Sequence, residues 1–127
     1  MDGGTLRWNS GNTQDVSSQL LLIDSKIATF NTNGNDVVLA GTLGGGTINA
    51  SVVKTGAGSL TVGGLNQYSG STTVSQGSLI IDGSLSTGDL SVASGASLLG
   101  SGTIGGATTI QSGATLSPGS SPGLLTI

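Results

Sequence analysis

Gly70, Gly88 and Gly106 stand 18 residues apart, and so do Gly77, Gly95 and Gly113. Two apolar sets keep the same interval: Val74, Val92 and Ile110 form one column, and Ile80, Leu98 and Leu116 form the other. A fixed period of this length is the signature of a solenoid, in which no unit can bury its apolar face alone and each stacks on the next. Function is then to be sought on a rod of repeated coils.

The columns also outline one coil. Asp82, Gly100 and Pro118 share a column, and Gly83, Ser101 and Gly119 share the next. All are turn formers. Pro118 and Pro122 lack an N–H and are placed at corners. Between corners, Thr72-Thr73-Val74 and Ser78-Leu79-Ile80-Ile81 read as short strands with Val74 and Ile80 pointing inward. On that phase Ser78, Ala96 and Ala114 are small inward residues, while Leu79, Ser97 and Thr115 face out. A weaker third side runs near Ser86, Ile104 and Pro122. The expected fold is all-β, a single-stranded parallel β-helix with coils about 4.8 Å apart. A six-residue sub-period through Val74 and Ile80, then Val92, Leu98, Ile104, Ile110 and Leu116, raises a left-handed β-helix as the alternative.

Upstream the period loosens. Strand-like runs at Thr5 to Trp8, Gln19 to Ile23, Ile27 to Phe30, Asp36 to Ala40 and Thr47 to Ala50 alternate with turn-rich tracts. The chain is thus read as one unit over 1–127, with irregular coils over 1–51 and regular 18-residue coils over 70–123. Leu124-Leu125-Thr126-Ile127 starts a further strand, so both ends read as cut.

Composition separates this rod from a flexible linker. Gly occupies 24 of 127 positions, yet only 7% of residues are charged and 35% are hydrophobic. Disorder needs the opposite balance. With a net charge of −3, nothing draws the chain to nucleic acid. The sequence has no His, no Cys and no Glu, which removes Ser-His-Asp, Cys-His and zinc chemistry, and no cofactor is expected. Asp82 and Asp89 are the one carboxylate pair to weigh for glycoside hydrolysis, against corner and bend roles. NTNGND (31–36) alternates oxygen donors around a Gly, but it lacks the later acidic ligand of a calcium loop, and a turn at Asn33-Gly34 is expected instead. Asp24 and Lys26 read as a surface ion pair. Lys54 precedes Thr55-Gly56-Ala57-Gly58, the wrong order for a phosphate loop, and is expected to project from its coil. Asn66 and Tyr68 share a face, either capping a bend with the phenol reaching water or contacting a sugar. The Thr73, Ser91 and Thr109 column approaches an ice-binding ladder, but Leu90 interrupts its neighbour of Thr72 and Thr108.

The stretch VVKTGAGSLTVGGLNQYSGSTTVSQGSLIID (52–82) resembles the passenger-associated repeat of bacterial autotransporters, K-T-G-x-G-x-L-x-L-x-G-x-N-x-Y-x-G-x-T-x-V-x-x-G-x-L. Lys54, Thr55, Gly56, Gly58, Leu60, Gly64, Asn66, Tyr68, Gly70, Thr72, Val74, Gly77 and Leu79 fall on the pattern. Val62 and Gln67 depart from it. The resemblance implies a right-handed parallel β-helix in a passenger that is secreted or held at the bacterial cell surface. It implies a non-catalytic stalk that also templates folding during secretion, with neighbouring passenger segments as partners. An adhesin surface for glycan or host protein is the alternative, and the open coil ends suggest end-to-end self-association.

Overall fold

The computed structural model describes residues 4–16, 25–41, 49–66, 68–85 and 88–118. Among them run fourteen short strands, and every pairing between strands is parallel. A first sheet holds, in order, β1 (Thr5–Arg7), β2 (Ile27–Asn31), β4 (Ser51–Thr55), β7 (Thr72–Val74), β10 (Leu90–Val92) and β13 (Thr108–Ile110). A second holds β3 (Asp36–Leu39), β5 (Ser59–Val62), β8 (Ser78–Ile81), β11 (Ser97–Gly100) and β14 (Thr115–Pro118). A third, of two-residue strands, holds β6 (Leu65–Asn66), β9 (Ser84–Leu85) and β12 (Thr103–Ile104). From β4 onward the chain visits the three sheets in turn and lays each strand on its predecessor. The molecule is a β-solenoid.

Strand alternation builds the core. In β4 the residues Val52 and Lys54 are buried while Ser51, Val53 and Thr55 are partly exposed, and β5 repeats this with Leu60 and Val62 inside. Parallel register then stacks like on like. Val74, Val92 and Ile110 pair along the first sheet, beneath Lys54 and Phe30. Trp8 and Phe30 widen the core at the N-terminal end, their ring centroids 6.3 Å apart.

Two kinds of glycine turn the chain. Gly11, Gly34, Gly58, Gly77, Gly95 and Gly113 follow successive strands of the first sheet with φ between +69° and +88°, the left-handed region that side chains disfavour. At the corner leading back into that sheet, Gly70 and Gly88 answer to crowding instead. A Cβ on Gly88 would overlap the Gly70 carbonyl, and one on Gly70 would overlap that of Ala50.

The second sheet departs from the sequence-based phase. Leu98 stacks on Leu79, not on Ile80, and Leu79 itself lies over Leu60. Leu79 and Ile81 are buried, and Ile80 faces outward, half-buried. The core column is therefore Val37, Leu60, Leu79, Leu98 and Leu116, the last 42% exposed on the terminal strand. The reason is corner length. Three residues, Ser75 to Gly77, join β7 to β8, whereas four join β10 to β11 and β13 to β14. The missing residue returns before β10, so an 18-residue total conceals a one-residue shift of phase. The same shift puts Ser78 over Ser59 on the outside. It also pairs Leu85, not Ser86, with Ile104. Pro118 ends β14, at the margin of its sheet, rather than forming a corner. Gln19 to Ile23, Thr47, Ser86 and Pro122 lie outside the described residues.

Candidate functional site

The polar residues of the 52–82 motif converge inside the solenoid. Lys54 has the inward parity of Val52, so β4 carries its side chain into the aliphatic column, where it is fully buried. Its ammonium donates to the Thr55 carbonyl at 2.8 Å, the Gly56 carbonyl at 2.7 Å and the Gln76 carbonyl at 3.1 Å. Three donors meet three acceptors, which is all a lysine offers. Two acceptors belong to its own corner and the third to the corner of the next coil. Gln76 returns the link, its Oε1 accepting from Gly56 N at 3.1 Å. Burial lowers the ammonium pKa from 10.5 to about 8. Lys54 thus stays protonated at neutral pH, and it does not project from its coil.

The second half of the motif closes the opposite corner. Asn66, inward on β6 and fully buried, donates through Nδ2 to the Gly64 carbonyl at 3.1 Å. Tyr68 is 4% exposed, and its hydroxyl shares a 2.8 Å hydrogen bond with Thr72 Oγ1. Burial raises the phenol to about 12, and the Thr72 bond opposes that shift in part. Gly70, between them, leaves room for the Ala50 carbonyl. The phenol does not reach water, and neither Asn66 nor Tyr68 is open to a sugar. Gln67 lies outside the described residues.

The other candidates are dispersed or committed. Asp82 and Asp89 are both exposed but belong to different corners, one on each side of β9. In NTNGND, Asn35 N donates to the Thr32 carbonyl at 2.9 Å, and Asn33 and Gly34 have φ of 51° and 81°. Positive φ at both central residues is what a type I′ turn requires. The oxygens there serve protein donors. Asn31 Oδ1 accepts from Asn33 N and Asn35 Oδ1 from Gly11 N, both at 2.9 Å, while Asp36 Oδ1 accepts from Ser59 N and Oγ. Among the described residues, no three His, Cys, Asp or Glu side chains gather as a metal site would need. Asp24 lies outside the described residues, and Lys26 is exposed.

A sequence reading did not anticipate the asparagine stitching of the first coils. Asn33 accepts from Arg7 through Oδ1 at 2.9 Å and donates to the Trp8 carbonyl at 3.1 Å. Asn35 donates to the Asn9 carbonyl at 2.8 Å. The available signal was the match in spacing: Asn9 precedes Asn33 by the same interval that separates Thr5 from its ladder partner Thr29.

Comparison with known proteins places these features. Residues 52–81 match the family model described as the passenger-associated-transport-repeat. Over 110 residues, 85% of this chain, the sequence is 38% identical to the Adhesin BmaC autotransporter of Brucella suis biovar 1 (strain 1330). The chain spans about 3% of that relative's length. No solved structure matches.

Proposed function

We propose that this chain, whose residues 52–81 match the passenger-associated-transport-repeat, is a non-catalytic length of stalk in a secreted or cell-surface autotransporter passenger. On this reading the repeat also templates folding as the passenger emerges. The observation that carries it is the inward placement of the motif's polar groups. Lys54, Asn66, Tyr68 and Thr72 are all buried, and the first joins the corners of two successive coils. A motif used on a ligand would show those side chains to solvent. Residues that link coil to coil instead favour addition of each coil to the one already formed. Right-handed winding belongs to the same proposal, since connections between parallel strands take that hand in nearly all cases. The missing His, Cys and Glu favour a non-enzyme, and neighbouring segments of the same passenger are the partners.

Pulse-labelled hydrogen exchange during refolding tests the template role. Amides of β4, β5, β7 and β8 are expected to gain protection before those of β10 to β14. Earlier protection of the later coils would refute it.

A second reading, an adhesive wall for glycan or host protein, is favoured by the relative's description as an adhesin and by the outer face of the first sheet. There Thr5, Thr29, Val53, Thr73, Ser91 and Thr109 form one continuous outward column. Glycan-array and cell-binding assays on the chain separate the two. Silence fits a stalk, and saturable binding abolished by Thr73→Arg fits an adhesin.

A further inference from the structure

Successive coils of this solenoid offer nearly interchangeable faces. Thr72-Thr73-Val74 and Thr108-Thr109-Ile110 differ by one methylene, and each later coil presents a Leu for the second sheet. Stacking coils on aliphatic contacts alone leaves the order of stacking weakly specified. A coil could be skipped and looped out, because closing an 18-residue loop costs little more than closing a shorter one.

Lys54 breaks this degeneracy. It is the one charged residue in a column otherwise made of Leu6, Phe30, Val74, Val92 and Ile110. The coil placed on it must bring a carbonyl to the ammonium and must also make room for it. Gly77 does the second. A Cβ at that position would lie 2.8 Å from Lys54 Nζ and 2.6 Å from the Gly56 carbonyl, and its φ of +69° is hostile to a side chain as well. The residues at the same ladder position in later coils are Ala96 and Ala114, each immediately before the residue that pairs in the second sheet. Either coil placed on Lys54 would bring a Cβ, on a corner one residue longer, to the ladder place that Gly77 leaves without one. It would also withdraw the Gln76 carbonyl. A buried charge that loses a hydrogen-bonding partner disfavours that arrangement roughly tenfold or more in population.

We propose that Lys54 and Gly77 form a register key that admits only the coil of residues 72–89 onto the coil of residues 52–66. The key fixes the stacking order for every coil that follows. This stands on the geometry alone and does not depend on the template role proposed above.

The absence of cysteine allows the key to be tested by cross-linking. Val53 and Thr73 are outward ladder partners, so Val53→Cys with Thr73→Cys reports native stacking. Ser91 is the next residue in that column. Val53→Cys with Ser91→Cys therefore spans two ladder spacings, about 9.6 Å, beyond the roughly 7 Å reach of a disulfide, unless a coil has been skipped. Each pair is refolded from denaturant in the full chain and then oxidised. With Lys54 present, the native pair is expected to close and the skipping pair to stay open. Lys54→Met should raise closure of the skipping pair by at least about tenfold, since methionine fills the column without needing a carbonyl. Ala96→Gly, which keeps Lys54 and removes the Cβ at that ladder place, should raise it too. It gives a second reading should Lys54→Met fail to fold. An unchanged yield of the skipping pair in the folded variants would overturn the proposal.

Discussion

Glycines in this chain are required for two separable reasons, and substitution distinguishes them. Gly95 has φ of +84° with open space where a Cβ would sit, so alanine there meets only backbone strain. Gly95→Ala is expected to cost about 1–2 kcal/mol and Gly95→Asn less, read from denaturant midpoints. At Gly88 the added methyl would overlap the Gly70 carbonyl, and alanine should cost more than at Gly95. Titration offers a second test at the same scale. The folded pKa of Lys54 lies near 8, below the unfolded value of 10.5, so its contribution is present above 10.5 and is lost as pH falls through 8. Stability should rise across that window by at most about 3 kcal/mol, and Lys54→Met should abolish the rise. Tyr68 works in the opposite sense. Its folded value near 12 exceeds the unfolded 10, so its contribution is complete below 10 and fades as pH climbs through 12. Tyr68→Phe should remove that decline. The burial of Lys54 was only half legible in the sequence. A lysine is normally solvated, but two-residue parity with Val52 in SVVKT already pointed it inward.

Strands show how far alternation can be read from sequence alone. The stacked-coil, all-β fold was legible because glycine corners and aliphatics recur together, and nothing in the chain has helical periodicity. The phase of β8 was not. Leu79, Ile80 and Ile81 are consecutive apolar residues, so either parity gives a hydrophobic inner face. What decides is the shortened corner before them, and a total of 18 residues hides it because the next long corner restores the count. A paired substitution exposes the choice. Ile80→Ser should stay within about 0.5–1 kcal/mol of the parent, whereas Leu79→Ser should cost about 3 kcal/mol or more. Leu98→Asp should be worse still, since it buries an unpaired carboxylate between Leu79 and Leu116. Thermal melts followed by circular dichroism check all three. Equal losses at positions 79 and 80 would contradict the observed register.

As a whole, the rod is a sum of neighbour-to-neighbour interfaces, so removing one coil tests which interfaces are interchangeable. Excising residues 93–110 joins Val92 to Gln111 and keeps Gly77 over Lys54, while corners of equal length replace each other. That shortened chain is expected to fold cooperatively with a slightly lower melting temperature. Excising residues 75–92 removes as many residues but carries Ala96 into the place of Gly77, and it should fold poorly or not at all. The parallel ladders also decide how the rod answers to force. Hydrogen bonds such as Ala93 N to the Val74 carbonyl and Gln111 N to the Val92 carbonyl join coil to coil along the long axis, one layer at a time. A pull on the two ends therefore loads the outermost layer first rather than shearing all layers together. In an optical trap the chain is expected to lengthen in steps on the order of 60 Å, the extended length of one coil. Such a solenoid sheds tension coil by coil and rewinds from the layers that remain.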